Sequence, residues 1–205
     1  RPIESYVSGS DLSTSFANAP KCSLYGAEFE AQKYFDLSGW KGDFWASRRF
    51  VAIANYTYSK SELKVSAGDT VSVFAASSTK ATDYFTDGAP LTGQSDHVVN
   101  LQLGLEDTDR LSQQTLLINY ASKRATSRGL VNSGQPDVEA YPGTRIDFVA
   151  RQGLDLWGRE VELKFEARNL TGVGYEEYQK SGKNRIDVNT YDVGRFFSIG
   201  ASAKF

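Results

Sequence analysis

The chain has 205 residues, of which 40% are hydrophobic, and its formal net charge is −2. This length suffices for one domain with a substantial core, or for the wall of a barrel. No stretch approaches the eighteen or so consecutive apolar residues that a membrane helix needs, which excludes a helical membrane protein, and the 23 basic residues form no run that would indicate a nucleic-acid partner.

Eight segments alternate apolar and polar side chains with a period of two. This period is typical of a β-strand that has one apolar and one polar face. In chain order the predicted strands are residues 1–7, 22–35, 49–60, 98–106, 114–124, 144–151, 160–168 and 197–205. Repetition along the whole chain, more than any single segment, predicts an all-β protein.

The clearest segment is residues 160–168, in which four apolar side chains alternate with four charged ones. A helix would distribute the apolar side chains around its axis, whereas a strand places them on one face. The apolar positions are Val161, Leu163, Phe165 and Ala167, and the charged ones are Glu162, Lys164, Glu166 and Arg168. We expect the charged side chains to pair with neighbouring strands or to face the interior of a barrel.

The predicted connections alternate between long and short along the chain. The long ones are residues 8–20, 61–93, 127–143 and 170–190, and the shorter ones are residues 36–45, 107–111 and 154–158. Outer-membrane barrels have this asymmetry because their periplasmic turns are tight and their external loops are long. Together the strands and connections predict an antiparallel transmembrane β-barrel wall of about eight strands, with the C-terminus on the periplasmic side.

Four sequence runs resemble segments of the TonB-dependent outer-membrane receptors. They are Asn-Ala-Pro-Lys-Cys-Ser-Leu-Tyr-Gly-Ala-Glu-Phe-Glu (18–30), Asn-Tyr-Thr-Tyr-Ser (55–59), Glu-Ala-Arg-Asn-Leu (166–170) and Tyr-Asp-Val-Gly-Arg (191–195). Each run is loose alone, but their order and spacing follow the C-terminal part of such a receptor along nearly the whole chain.

The resemblance implies that residues 1–205 are the C-terminal portion of a 22-stranded barrel domain, without the plug domain and the TonB box. Such a receptor is a transporter and not an enzyme. It binds a scarce small molecule, often a ferric siderophore, in the bacterial outer membrane and imports it with energy that TonB supplies. The expected partners are the N-terminal remainder of the receptor, TonB through that remainder, the barrel-assembly machinery, and outer-membrane lipid with lipopolysaccharide.

The last segment is also similar to the C-terminal signal that the barrel-assembly machinery reads. Its apolar positions are Phe197, Ile199, Ala201, Ala203 and Phe205. The same positions would face lipid in a barrel, and the two roles are compatible.

No catalytic, cofactor or metal site is predicted. The only histidine, His97, follows Asp96 at a strand end, and a solvated rim position is favoured over proton transfer. Acidic pairs in turns and loops are interpreted as local hydrogen-bond acceptors or solvated charges, with cation binding as the weaker reading. These pairs are Asp107 with Asp109, Glu176 with Glu177, and Asp83 with Asp87.

Substrate contacts would fall to the long connections, chiefly residues 61–93 with Phe74, Tyr84 and Phe85, which are equally suited to packing the loop on itself. Two other fold readings remain open from the sequence. One is a self-contained eight-stranded outer-membrane barrel with a structural or adhesive role, and the other is a soluble β-sandwich that binds a partner.

Overall fold

A computed structural model describes residues 1–8, 12–73, 78–156 and 158–203. In those ranges the chain forms thirteen β-strands and three single 3-10 turns, with no α-helix, so the all-β prediction is confirmed. No helix in the same ranges is long and apolar enough to cross a membrane. The strands are β1 (Ile3–Ser8), β2 (Ser13–Asn18), β3 (Lys21–Asp36), β4 (Arg48–Lys64), β5 (His97–Asp107), β6 (Ser112–Ala121), β7 (Arg124–Gly129), β8 (Val138–Ala140), β9 (Gly143–Leu156), β10 (Arg159–Arg168), β11 (Tyr175–Ser181), β12 (Asn184–Tyr191) and β13 (Phe196–Ala203).

Seven long strands form an antiparallel main sheet in the order β13-β10-β9-β6-β5-β4-β3. They correspond to the seven predicted strands that follow residues 1–7. Strands that follow each other in this meander are neighbours in the sheet, so the connections between them alternate between its two ends. The connection after β3 and the turns after β5 and β9 lie at one end, called here the short-turn end.

The register of the main sheet collects the predicted apolar positions on one face. One row of directly paired residues runs Ala52, Leu103, Leu116, Phe148, Ala167 and Phe197 across β4, β5, β6, β9, β10 and β13. The next row runs Ala31, Ala54, Leu101, Ile118 and Ile146. A slip of one residue at any strand would move its whole apolar set to the other face. The alternation read from the sequence is therefore consistent with the pairing of all seven strands.

Gly26 permits the close approach of β3 and β4. A Cβ atom at this position would lie 2.3 Å from the backbone oxygen of Tyr58, far inside a van der Waals contact. Only glycine fits such a separation without moving the strands apart. This gives a physical reason for the glycine in the run 18–30.

The long connections are not loops, which corrects the prediction of about eight strands. Together with residues 1–7 they contain the six strands of a second sheet, in the order β12-β11-β8-β7-β1-β2. Residues 1–7 belong to this second sheet as β1 and not to the main sheet. The second sheet is mixed, since β1 runs parallel to β7 while its other pairs are antiparallel.

The main sheet does not close into a barrel within the described ranges. Its first and last strands, β3 and β13, are each paired on one side only. The structure therefore supports an antiparallel β wall, and the finer expectation of a transmembrane barrel belongs with the proposed function below.

A compact hydrophobic cluster lies between the second sheet and the connection of residues 65–96. Its largest side chains are Tyr6 of β1, Leu63 of β4, and Tyr84 and Phe85 of the connection. The Tyr6 and Tyr84 rings meet edge to face, with centroids 5.4 Å apart. Phe85 is 1% exposed, so Tyr84 and Phe85 pack the connection and are not substrate contacts. Phe74 lies outside the described ranges.

A buried ion pair attaches β1 to β7. The Nε of Arg128 donates to the Oε2 of Glu4 at 3.1 Å, and the backbone N–H of Thr92 donates to the same carboxylate. Glu4 is 1% exposed and Arg128 2% exposed. Burial raises the pKa of Glu4, against the lowering influence of Arg128 and of the Thr92 N–H. Arg128 also pairs with Asp137. The strand pairing of β1 with β7 covers two residue pairs, and this ion pair adds a further attachment between the two strands.

Replacing Glu4 by alanine is expected to destabilise the protein strongly. The change removes one carboxylate from the buried Arg128 guanidinium, which keeps its pair with Asp137, and removing one partner of a buried ion pair typically costs about 3–5 kcal/mol. The free energy of unfolding in denaturant measures the effect. The control is Glu176→Ala, since the Glu176–Arg185 pair is solvent-exposed and such pairs contribute about 0–1 kcal/mol. Equal losses in the two variants would show that the buried Glu4–Arg128 pair stabilises the protein no more than an exposed pair does.

Candidate functional site

The polar face of the main sheet carries a ladder of side-chain amides. The Nδ2 of Asn119 donates to Asn100 at 2.7 Å, Asn100 donates to Asn55 at 3.4 Å, and Asn55 donates to Glu28 at 2.8 Å. These four residues stand on the adjacent strands β6, β5, β4 and β3, and all of them are at least partly exposed. Asn55 and Asn100 each accept with the side-chain oxygen from one neighbour and donate with the nitrogen to the other, as a cross-strand row of amides permits.

Charged pairs cover the polar face nearer the short-turn end. Glu106 accepts from Arg49 at 2.8 Å and from Gln113 at 3.2 Å, and Arg151 donates to Glu162 at 2.7 Å. The predicted cross-strand pairing of the β10 charges is thus found for Glu162, whose partner lies on β9. By contrast, Lys164 and Arg168 both pair with Glu166 of their own strand.

A cavity of about 350 Å³ opens where the amide ladder meets the long connections. Asn100, Asn119 and Arg145 contribute to it from the main sheet, and Asn169, Tyr175 and Tyr191 from the connections. Arg145 lies directly opposite Asn119 in the register, and its Nε donates to Asp147 at 3.1 Å. The lining therefore combines amides and a guanidinium with apolar and aromatic side chains, among them Val98 and Val173, which suits an organic ligand that has both polar and apolar groups.

Asn169 fixes the wall of this cavity. Its Nδ2 donates to the backbone oxygens of Val173 at 3.0 Å and Gly194 at 2.7 Å, while its Oδ1 accepts from the Val173 N–H at 3.0 Å. The residue has a positive φ of 55°, which asparagine tolerates better than most residues. Its own N–H donates to Asp147. These bonds give a physical reason for the asparagine that follows β10.

Two tyrosines close the other side of the cavity. The rings of Tyr175 and Tyr191 stack with centroids 4.9 Å apart and an interplanar angle of 18°. Burial, followed by the Glu177 carboxylate, raises the pKa of Tyr175 to about 12. The phenol therefore stays protonated near neutral pH, with the Glu177 carboxylate as its hydrogen-bond partner.

His97 and Asp96 do not form a proton-transfer pair. Asp96 pairs with Lys60 at 3.9 Å, while the Nδ1 of His97 is hydrogen-bonded to the Tyr56 hydroxyl at 2.9 Å. The imidazole packs against the rings of Tyr56 and Tyr58. His97 is the first residue of β5 and lies on the apolar face. With Tyr56 and Tyr58 it forms an aromatic group at the end of the main sheet that is opposite to the short-turn end.

The acidic pairs occupy local structural positions. Asp107 accepts from the N–H groups of Asp109 and Arg110, as its turn predicts, and Asp87 accepts from the N–H of Val65. Glu176 pairs with Arg185. In the part of the chain that the structure describes, no group of three or more His, Cys, Asp or Glu is placed to hold a metal ion.

Four residues of the predicted assembly signal lie along β13, the last strand of the main sheet. Phe197, Ile199, Ala201 and Ala203 share the apolar face, and Ile199 is 83% exposed. Phe205 lies outside the described residues. The amide ladder and Asn169 are the features that sequence reasoning missed. The available signal was an asparagine at the polar-face position of three successive strands.

No protein-family model, no curated protein and no solved structure matches this chain.

Replacing Asn169 by alanine is expected to cost about 2–4 kcal/mol, because it leaves three partly buried backbone groups without their side-chain partner and adds an unfavourable φ. Asn169→Gly removes the same bonds but relieves the φ, so it should cost about 1 kcal/mol less. Denaturant unfolding of both variants measures these differences. A glycine variant as stable as the original would show that the side-chain bonds contribute nothing.

Proposed function

We propose that this chain forms part of the wall of a TonB-dependent outer-membrane receptor that imports a scarce small molecule, with a ferric siderophore as one candidate. The observation that carries the proposal is the pairing register of the main sheet. It gathers apolar side chains from seven strands on one face and amides and ion pairs on the other. A membrane wall with a hydrated interior has this distribution.

The exposure of the apolar face supports lipid as its environment. Leu103 and Leu116, in the middle of the sheet, are partly exposed, and Phe29 and Leu163 are 64% and 40% exposed. Such residues are normally buried in a two-layer soluble protein. A continuous apolar surface of this extent marks contact with a membrane or a partner.

The spacing of aromatic residues along β4 supports the same environment. Phe50 and Tyr58 lie on the apolar face with only Ala52, Ala54 and Tyr56 between them on that face. The stretch from Phe50 to Tyr58 is close to the roughly 9–11 residues that a tilted strand needs to cross a bilayer. Lys33 is a charged residue on this face, opposite Ala52 near the short-turn end of β3, where a lysine can extend its ammonium towards the interface.

The two open edges favour a wall that other strands complete. In hydrocarbon an unpaired backbone group costs several kcal/mol, and β3 alone has sixteen residues. We therefore propose that the N-terminal remainder of the receptor supplies the missing strands and the plug, and that TonB acts through that remainder. The self-contained eight-stranded barrel is less well supported, because the main sheet has seven strands and its edge strands do not pair with each other.

The cavity of about 350 Å³ beside the amide ladder is the place where we propose that the wall contacts the imported molecule. It lies on the polar face beside the long connections, which face the outside in the proposed orientation. Asn100, Asn119, Arg145 and Tyr175 are the residues that we propose contact the substrate.

Cell fractionation followed by mass spectrometry of co-purifying polypeptides tests the proposal. The chain should be recovered in the outer-membrane fraction, together with or continuous with further β-strand segments. Recovery as a monomer that is soluble without detergent would contradict it.

Replacing Ile199 by arginine discriminates lipid from water. Ile199 is 83% exposed, so the change should be almost neutral in water, within about 0.5 kcal/mol. Near the bilayer midplane the same change costs about 2–4 kcal/mol. The matched control is Ser198→Arg, one residue away on the polar face, where Glu166 is the neighbour. Denaturant unfolding of both variants in membranes measures the difference, and equal stabilities would overturn the assignment of the faces.

A further inference from the structure

The connection between β3 and β4 holds two tryptophans against the apolar face. Together with three side chains of the sheet they surround a cavity of about 680 Å³. We call this cavity the aromatic cup. Its apolar lining consists of Phe35, Leu37, Trp40, Trp45, Phe50 and Leu105.

The floor of the aromatic cup is set by the register of the main sheet. Phe35, Phe50 and Leu105 are directly paired across β3, β4 and β5, on the apolar face at the short-turn end. The rings of Phe35 and Phe50 lie 6.0 Å apart. The floor is therefore continuous with the apolar surface formed by Ala52 and Leu103.

The walls of the cup are held by a well-bonded turn. The Asp36 carboxylate accepts from the N–H and the hydroxyl of Ser38 at 2.8 and 2.9 Å, and Leu37 bonds to the backbone of Arg48. Gly42 has a φ of 111°, which L side chains rarely adopt. This turn leads into the 3-10 turn Asp43–Trp45.

Aromatic contacts then fix the tryptophans. Trp40 and Trp45 meet with centroids 4.9 Å apart, and Phe44 meets Trp45 at 4.8 Å. The Arg48 guanidinium lies 4.0 Å above the Phe44 ring and pairs with Asp107. Even so, Trp40 remains 59% exposed.

The mainly apolar and aromatic lining of the cup favours a hydrocarbon chain as its ligand. Its one polar lining residue, Asp36, already accepts two hydrogen bonds from Ser38, so the lining gives a polar ligand little to bind. The volume lies within the range of roughly 300–1,000 Å³ that is usual for small-molecule sites. In the same turn, Lys41 and Asp43 are both exposed and place one charge of each sign two residues apart, which complements a zwitterionic headgroup.

We propose that the aromatic cup binds one acyl chain of a zwitterionic membrane phospholipid, with Trp40 and Trp45 as its walls. This inference rests on the proposed function, since it needs the apolar face to meet lipid. In the proposed orientation the cup lies at the periplasmic interface. Tryptophans there would hold a lipid in one place along the wall, beyond the general affinity of aromatic residues for membrane interfaces.

Native mass spectrometry of the purified receptor, with all chains that co-purify, tests the proposal. After delipidation in detergent, dioleoyl phosphatidylethanolamine is titrated in. We expect one saturable lipid per receptor, and binding about tenfold weaker or more in the variant with Trp40→Ala and Trp45→Ala, which lacks two aromatic contacts. Leu105→Trp, which fills the cup, should weaken binding similarly without removing either wall.

The matched control is Phe29→Ala. Phe29 lies on β3 and on the apolar face, as Phe35 of the cup does, but it does not line the cup. This variant should leave lipid binding unchanged. Equal binding in the cup variants and the control, no saturable binding, or equal saturation by purified lipopolysaccharide would overturn the cup. If Ile199→Arg is neutral, the proposed function fails, and the cup fails with it because it needs the apolar face to meet lipid. If Ile199→Arg is costly and the cup variants bind normally, only the cup fails.

Discussion

The architecture of this chain depends on backbone pairing that keeps seven strands in one register. A strand places consecutive side chains on opposite faces, so the apolar stripes of neighbouring strands coincide only if every pair is aligned to the residue. Here the row from Ala52 to Phe197 is apolar across six strands. The same alignment stacks Asn55, Asn100 and Asn119 on the opposite face, so one constraint creates both the apolar surface and the amide ladder.

The two ends of the main sheet differ in how they are stabilised. At the short-turn end, compact turns are fixed by local hydrogen bonds, such as those from Ser38 to Asp36. At the other end, the long connections build a second sheet with its own hydrophobic cluster and the buried Glu4–Arg128 pair. The cavity beside the amide ladder lies where these connections meet the sheet. The regular main sheet thus holds the irregular connections at one of its ends, which is a common arrangement where loops bind a ligand.

Much of the main sheet could be predicted from the sequence, because a period of two over nine or more residues is a strong local signal. The second sheet could not. Its strands are short, β7 and β8 pair with a register irregularity, and β1 depends on Arg128, which lies 124 residues away. The cavity could be predicted only in part. The asparagines occupy polar-face positions of strands that the alternation predicts. The contribution of Tyr175 and Tyr191 depends on the hairpin of β11 and β12, which the alternation does not predict.

The unpaired side of β3 has a consequence for how this polypeptide reaches its final state. Every second one of its sixteen residues points its N–H and C=O groups away from β4, and such an edge readily recruits any other extended chain. If the wall stands in hydrocarbon, transfer from water and completion of the neighbouring strand must occur in a single concerted event. The rate at which β3 folds would then depend on when the strand that pairs with its open edge becomes available, and not on the sequence of β3 alone.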